Sequence, residues 1–104
     1  AVRVTNEFFA QGDLEREGGM EVTAMCDRRV QSRVGLQKGF IDFVVGPFFK
    51  SVALRFPALQ PQVAQLDSNR KAWDAYDDAA LLDEVAQEEA ERSARIAAAA
   101  AAYL

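Results

Sequence analysis

The run LQKGFIDFVVGPFF at residues 36–49 constrains the fold more than any other part of the chain. On a helix its side chains cover two sides of the surface: Gln37, Phe40, Ile41 and Val44 fall on one face, and Val45, Phe49 and Val52 extend the apolar surface round the other side. A helix that is apolar over so wide an arc is buried on most of its sides. We therefore expect this helix to pack among other helices.

The remaining sequence carries helical patterns and no pattern typical of strands, which predicts an all-α fold. We expect helices over residues 2–10, from residue 30 or 31 to just before Pro57, over 61–76 and over 81–104. Gly12 is expected to end the first helix, and Asp13 to begin a short turn that stops at Gly18. Residues 20–29 are predicted to form an irregular loop. Pro47 is predicted to kink the long helix, because proline lacks a backbone N–H donor.

Gln37 places a side-chain amide at the head of this apolar surface, one turn before Phe40. Burying an amide without hydrogen-bond partners costs about 1–3 kcal/mol. The amide carries a donor and an acceptor side by side, so it can pair at two points with the edge of a nucleobase. Phe40 could then stack on the base, and Val44 could close the other side. The spacing alone favours a simpler interpretation, in which Gln37 is solvated and Phe40 belongs to the core.

The composition limits the classes of function that the chain can carry. It has 104 residues, 50% of them hydrophobic, so we expect one small packed domain or a piece of a larger one. A net charge of -4 supplies no basic excess to neutralise phosphates, which argues against nucleic acid as a partner. The chain contains no histidine, so the commonest general base and metal ligand is missing.

The sequence also bears on where the chain resides. Cys26 is the single cysteine and cannot form an internal disulfide, which favours a reducing compartment. No apolar run approaches the roughly 20 residues of a membrane span, and no signal-peptide pattern opens the chain. The chain begins at Ala1, without Met, inside a helical pattern, and we expect a fragment or a processed piece. We expect it in the cytoplasm, or at the cytoplasmic face of a membrane through regions outside this chain.

Three motifs follow one another at a characteristic spacing. NEFFAQGDLEREGGMEVTAMCDRR occupies residues 6–29, QKGFID lies inside the apolar run, and LDSNRKAW occupies residues 66–73. This combination resembles the C-terminal part of the catalytic domain of class I 3′,5′-cyclic-nucleotide phosphodiesterases, whose pattern is EFF-x-QGD-x-E, then MCD, Q-x-GFID and N-R. The resemblance covers residues 6–76 and implies a C-terminal fragment of that multi-helix domain. The sequence departs from the family pattern at Leu36, Lys38 and Gly46.

The resemblance implies substrate-binding roles for five residues. Gln37, which leads GFID, would pair with the purine edge of the cyclic nucleotide, and Phe40 would stack on the purine. Val44 would form part of the opposite hydrophobic wall. Met25 and Phe8 would line the pocket, Phe8 being the weaker candidate.

The resemblance also implies the chemistry of the parent enzyme, which hydrolyses cAMP, cGMP or both to the 5′-monophosphate. The family uses two divalent metal ions, Zn and Mg or Mn, held by His and Asp residues that lie N-terminal to this segment. We therefore expect this chain to contain no metal ligand and no catalytic residue, to be inactive alone, and to pack against upstream helices of the same catalytic domain.

The chain is predicted to divide at its last helix. Residues 1–78 would form the incomplete catalytic domain, and residues 79–104 an Ala/Glu-rich helical tail outside the resemblance. The alternative function is a non-catalytic helical interaction module, in which residues 81–104 pair with a partner helix. The apolar positions of the tail do not sustain a heptad, so a coiled coil is poorly supported.

Overall fold

The computed structural model describes all 104 residues and confirms the all-α prediction. Five α-helices follow one another: α1 Val2–Glu17, α2 Arg33–Phe40, α3 Gly46–Arg55, α4 Gln60–Ala72 and α5 Asp78–Ala101. A π-helical segment, Ile41–Val45, joins α2 to α3 without a break and is called the π turn below. Short 3-10 turns lie at Ala24–Cys26, Pro57–Leu59 and Trp73–Ala75.

Helix α1 is continuous, so the predicted stop at Gly12 and the separate turn from Asp13 are wrong. Gly12 lies where α1 touches the following loop, and a Cβ built on it would be 2.0 Å from the carbonyl oxygen of Cys26. The glycine therefore allows close packing instead of ending the helix. The helix ends before Gly18, and the chain turns away at Gly19, whose φ of 69° lies in the region that glycine tolerates best.

Helix α2 begins at Arg33, later than predicted, after Ser32 as its N-cap. The hydroxyl of Ser32 accepts a hydrogen bond from the N–H of Gly35 at 2.9 Å. The carboxylate of Asp78, in the first turn of α5, accepts from the N–H groups of Arg33 and Val34 at 2.9 and 3.0 Å. These side chains satisfy N–H groups that have no partner within the helix, and they tie the start of α2 to the start of α5.

The irregularity predicted near Pro47 takes the form of the π turn. The N–H of Gly46 donates to the carbonyl of Ile41, five residues earlier, which closes the wider ring of a π-helix. Pro47 follows directly and has no N–H to donate to the preceding turn. The helix then continues as α3 and ends before Pro57, as predicted.

Helices α4 and α5 correspond to the last two predicted helices. The 3-10 turn after α4 ends at Ala75, next to the predicted end at Tyr76. The extended backbone of Tyr76 and Asp77 separates the two helices, at the junction between the two predicted ranges. Asp77 caps α5 by accepting a hydrogen bond from the N–H of Ala80 at 2.8 Å. None of the helices combines the length and the apolar character needed to span a bilayer.

The core is small for a chain of this length, since only nine of 104 residues are buried. The apolar members of the core are Phe9, Cys26, Val34, Ala53, Val63 and Leu81. The radius of gyration is 18.4 Å, against about 13 Å for a compact domain of 100 residues. Large apolar side chains are exposed along the π turn, α3 and its end: Phe43, Phe48, Leu54 and Phe56. This exposed apolar surface is typical of an interaction site.

Candidate functional site

A cavity of about 380 Å³ lies between α1 and α2, with the loop that precedes α2 at its side. Eight residues line it: Ala1, Val4, Thr5, Phe8, Met25, Leu36, Gln37 and Phe40. Four of the five predicted site residues, Phe8, Met25, Gln37 and Phe40, therefore meet in one place although three separate stretches of sequence supply them.

Helix α1 provides a mostly apolar wall. Its lining residues, Ala1, Val4, Thr5 and Phe8, are spaced at i, i+3, i+4 and i+7, so they share one face. Thr5 is 1% exposed, and its hydroxyl donates within α1 to the carbonyl oxygens of Ala1 and Val2 at 3.2 and 3.1 Å. This hydroxyl is satisfied locally, so the wall offers mainly hydrocarbon to a ligand.

Helix α2 provides the opposite wall and its polar group. The Gln37 side chain is half-buried, and its amide takes part in none of the side-chain hydrogen bonds of the chain. The Phe40 side chain lies one turn further along the helix and is 52% exposed. The cavity thus combines an uncommitted amide with an accessible aromatic ring, the two groups that two-point pairing and stacking require.

Val44 does not line this cavity. An uninterrupted α-helix would place Val44 one turn beyond Phe40 on the same face. The π turn holds an extra residue and changes the rotation after Phe40, so Val44 lies away from the lining and is 54% exposed. The wall across the cavity from Phe40 comes from α1 instead.

The loop that carries Met25 is fastened to α1 on both sides of that residue. On one side, the Glu15 carboxylate accepts from the backbone N–H and the hydroxyl of Thr23 at 2.7 and 3.0 Å. On the other side, Cys26 packs against Gly12, and Asp27 pairs with Arg16 at 2.7 Å. The pKa of Glu15 lies below its ordinary value because the carboxylate accepts hydrogen bonds, first from Gln11 and then from Thr23.

Sequence reasoning missed four lining residues: Val4, Thr5, Leu36 and the terminal Ala1. A signal for the first two was present, because Val4 and Thr5 precede the predicted Phe8 by four and three residues on the same helix. Leu36 stands beside Gln37, but its contribution depends on how α2 is turned toward α1. That rotation comes from long-range packing, which local spacing does not encode.

A second cavity, of about 300 Å³, lies between the helix containing Val45 and Phe49 and the facing side of α4. Val45, Phe49 and Leu66 form its apolar part, and Gln62, Gln65 and Asn69 supply amides. Gln65 donates to Asn69 at 2.8 Å, so two of these amides already pair with each other. None of the predicted site residues lies here.

The family model described as 3′5′-cyclic nucleotide phosphodiesterase matches residues 1–66, more than half of the chain. The chain belongs to the 3′,5′-cyclic-nucleotide phosphodiesterase family. The predicted resemblance is therefore confirmed.

Several curated phosphodiesterases are similar to this chain. The 3′,5′-cyclic-AMP phosphodiesterase 4C of Mus musculus is 40% identical over 70 residues, which are 66% of this chain and 10% of the mouse protein. The probable 3′,5′-cyclic-AMP phosphodiesterase pde-4 of Caenorhabditis elegans has the same identity and the same coverage. A solved structure of LmjPDEB1 in complex with IBMX superposes with a TM-score of 0.61 at 44% identity, over 68% of this chain and 22% of LmjPDEB1. The chain thus spans about 10% of the length of the curated relatives it matches.

The residues of this chain do not fit the metal pair that phosphodiesterase chemistry implies. The chain contains no histidine. No three Cys, Asp or Glu side chains converge on a point where they could hold a metal ion. Asp13, a carboxylate beside the loop, pairs with Arg28 at 2.6 Å and with Arg16 at 3.5 Å.

Proposed function

We propose that this chain is the purine-recognition part of a 3′,5′-cyclic-nucleotide phosphodiesterase catalytic domain. The observation that carries the proposal is the convergence of Phe8, Met25, Gln37 and Phe40 on one cavity. Membership of the family supports it, because the matched residues 1–66 include all four of these residues. Gln37 and Phe40 are called the purine clamp below.

Gln37 is proposed to read the edge of the base. Its amide can donate from the nitrogen and accept at the oxygen, so it matches a base edge that carries one acceptor and one donor. Rotating the amide by half a turn exchanges the positions of its donor and its acceptor. The same side chain can therefore pair with the edge of adenine in one orientation and with the edge of guanine in the other. We propose cAMP as the first substrate to test, because the relatives at 40% identity are named 3′,5′-cyclic-AMP phosphodiesterases. cGMP is the second.

Phe40 is proposed to stack on the face of the base. Its ring is 52% exposed at the cavity, and stacking of this kind contributes about 1–3 kcal/mol per base. Val4 and Phe8 of α1 lie across the cavity and are proposed to contact the other face, in place of Val44. Met25 would close the side. A cavity of about 380 Å³ falls within the range of small-molecule sites, about 300–1,000 Å³.

Hydrolysis itself is proposed to depend on residues outside this chain. Two divalent ions, Zn²⁺ with Mg²⁺ or Mn²⁺, would be held there, since no donor set exists here. Further helices of the same catalytic domain are the proposed partners of the exposed apolar surface of Phe43, Phe48, Leu54 and Phe56, whose exposed fractions run from 59% to 85%. Covering this surface would enlarge the small core.

The test is cAMP and cGMP hydrolysis by the protein expressed from its complete gene, with Gln37→Ala beside it. Loss of a two-point contact in a half-buried site predicts a rise in KM of about tenfold to hundredfold. Gln62→Ala is the matched control, because Gln62 is a glutamine of α4 at the other cavity, and its KM is expected to match the parent protein. Hydrolysis with equal KM values in Gln37→Ala and Gln62→Ala would refute the purine clamp.

A further inference from the structure

A network of ion pairs joins the helix that carries the purine clamp to α4 and to the short turn that follows α4. The Arg70 Nε donates to the Asp42 carboxylate at 2.8 Å, and the Arg70 Nη1 donates to Asp74 at 2.9 Å. The Lys38 Nζ reaches the same Asp74 oxygen at 2.9 Å. Lys38 belongs to α2 and Asp42 belongs to the π turn. The ion pairs therefore hold the helix at positions before and after Phe40.

These contacts lie on the far side of the helix from the cavity. Lys38 precedes Phe40 by two residues in α2, and two residues correspond to about 200° of rotation round an α-helix. The cavity therefore takes one side of the helix, and the side chains that reach toward Arg70 and Asp74 take the other. None of the four charged residues lines the cavity.

We propose that Arg70 is a positioning residue for the purine clamp. By holding Asp42 it fixes the π turn, and with it the rotation that directs Gln37 and Phe40 into the cavity. The inference rests on the proposed function, because it concerns the same site, and it adds a determinant that does not touch the nucleotide.

The π turn explains why such a contact matters. A π turn is a rare element that inserts one extra residue into a continuous helix. If it closed to an α-helical turn, the helix after Ile41 would rotate by about 100° relative to the helix before it. Helix α3 packs on α4, so a change in the π turn would reorient α2 and the purine clamp. Arg70 links the π turn to α4 and opposes that change.

The chemistry of the contact favours an arginine. The guanidinium offers two donors in a fixed planar fork, here Nε to Asp42 and Nη1 to Asp74, whereas a lysine offers a single point charge. These hydrogen bonds, that of Asp42 first, raise the pKa of Arg70 above its ordinary value, so the group stays charged. Asp74 is 61% exposed and Asp42 is 42% exposed, and ion pairs this exposed stabilise a fold little. The expected effect of the contact on the stability of the fold is therefore small.

The experiment measures KM and kcat for cAMP in the protein expressed from its complete gene, with Arg70→Gln, Arg70→Lys and Asp42→Asn. Arg70→Gln is expected to raise KM by about threefold to tenfold, with kcat within about twofold of the parent. Arg70→Lys is expected to recover part of the loss. Asp42→Asn is expected to raise KM to a similar extent. The double variant with both Arg70→Gln and Asp42→Asn is expected to raise KM no further, because both substitutions remove the same contact. Lys71→Gln removes a neighbouring charge that pairs with nothing and is expected to change neither constant.

The possible results distinguish a failure of the positioning role of Arg70 from a failure of the purine clamp itself. If Gln37→Ala leaves KM unchanged, the purine clamp itself is wrong. If Gln37→Ala raises KM while Arg70→Gln behaves like Lys71→Gln, the clamp stands and the positioning role is overturned. A fall in kcat without a rise in KM also overturns it. If Arg70→Gln fails to fold, Asp42→Asn is the deciding variant. An unchanged KM in Asp42→Asn would show that the contact between Arg70 and Asp42 does not position the purine clamp.

Discussion

Replacing Gly12 by alanine sets two physical effects against each other. Alanine favours a helix interior over glycine by about 1 kcal/mol, which alone would stabilise α1. The new Cβ, however, would lie 2.0 Å from the Cys26 carbonyl oxygen, and contacts of real Cβ atoms essentially never fall below 3.0 Å, so the loop must move by at least 1.0 Å. Overpacking of this kind costs about 1–3 kcal/mol. The clash is with backbone that cannot rotate away, so we expect a cost of about 2–3 kcal/mol, at the upper end of that range, and a net loss of about 1–2 kcal/mol.

Urea unfolding followed by circular dichroism measures this loss, and hydrogen exchange at residues 24–26 reports whether the loop has moved. Gly39→Ala is the matched control, because Gly39 lies inside α2 and a Cβ there meets nothing within 4 Å. It should stabilise the protein by about 0.5–1 kcal/mol. A Gly12→Ala variant that gains stability as Gly39→Ala does would refute the close approach of α1 to the loop.

Three further predictions concern residues outside the cavity. Asp78→Ala removes the carboxylate that accepts from two N–H groups of α2, and chemical denaturation should show a loss of about 0.5–2 kcal/mol; no loss would contradict this cap. The pKa of Tyr76 lies above its ordinary 10.0, because its hydroxyl donates to Glu84 and the nearby negative charge opposes ionisation. Stability from this contact is present below pH 10 and lost as the pH rises through the raised pKa; ultraviolet titration in Tyr103→Phe tests it, and an ordinary pKa would count against it. Cys26 is 4% exposed and burial raises its pKa, so thiol reagents should label it only on unfolding, and fast labelling of the folded protein would be inconsistent with the packing.

The positions of the helices followed from the sequence because they depend on local patterns. Apolar spacing identified the long central helix, and composition identified α5. The resemblance to the phosphodiesterase family named four residues that line one cavity, although they come from three segments, and their roles in binding stay predictions. The helix predictions share a cause, because helical periodicity is a property of neighbouring residues.

The errors arose where distant residues decide the local structure. Gly12 looked like a helix stop because its packing against Cys26, fourteen residues away, is invisible to local reasoning. The start of α2 depends partly on Asp78, which lies 45 residues beyond Arg33. The π turn displaced Val44 from the predicted face, because apolar spacing does not distinguish a π-helical from an α-helical hydrogen-bond pattern. The boundary after residue 78 and the role of α5 as an interaction module stay predictions.

A crystal structure of the protein expressed from its complete gene, with 5′-AMP bound, tests the central claim most directly. The account predicts that the adenine lies between Phe40 and the α1 wall at Val4, with the Gln37 amide within about 3.2 Å of the base edge. An adenine bound elsewhere, with Gln37 turned to solvent and Phe40 free of the base, would contradict it.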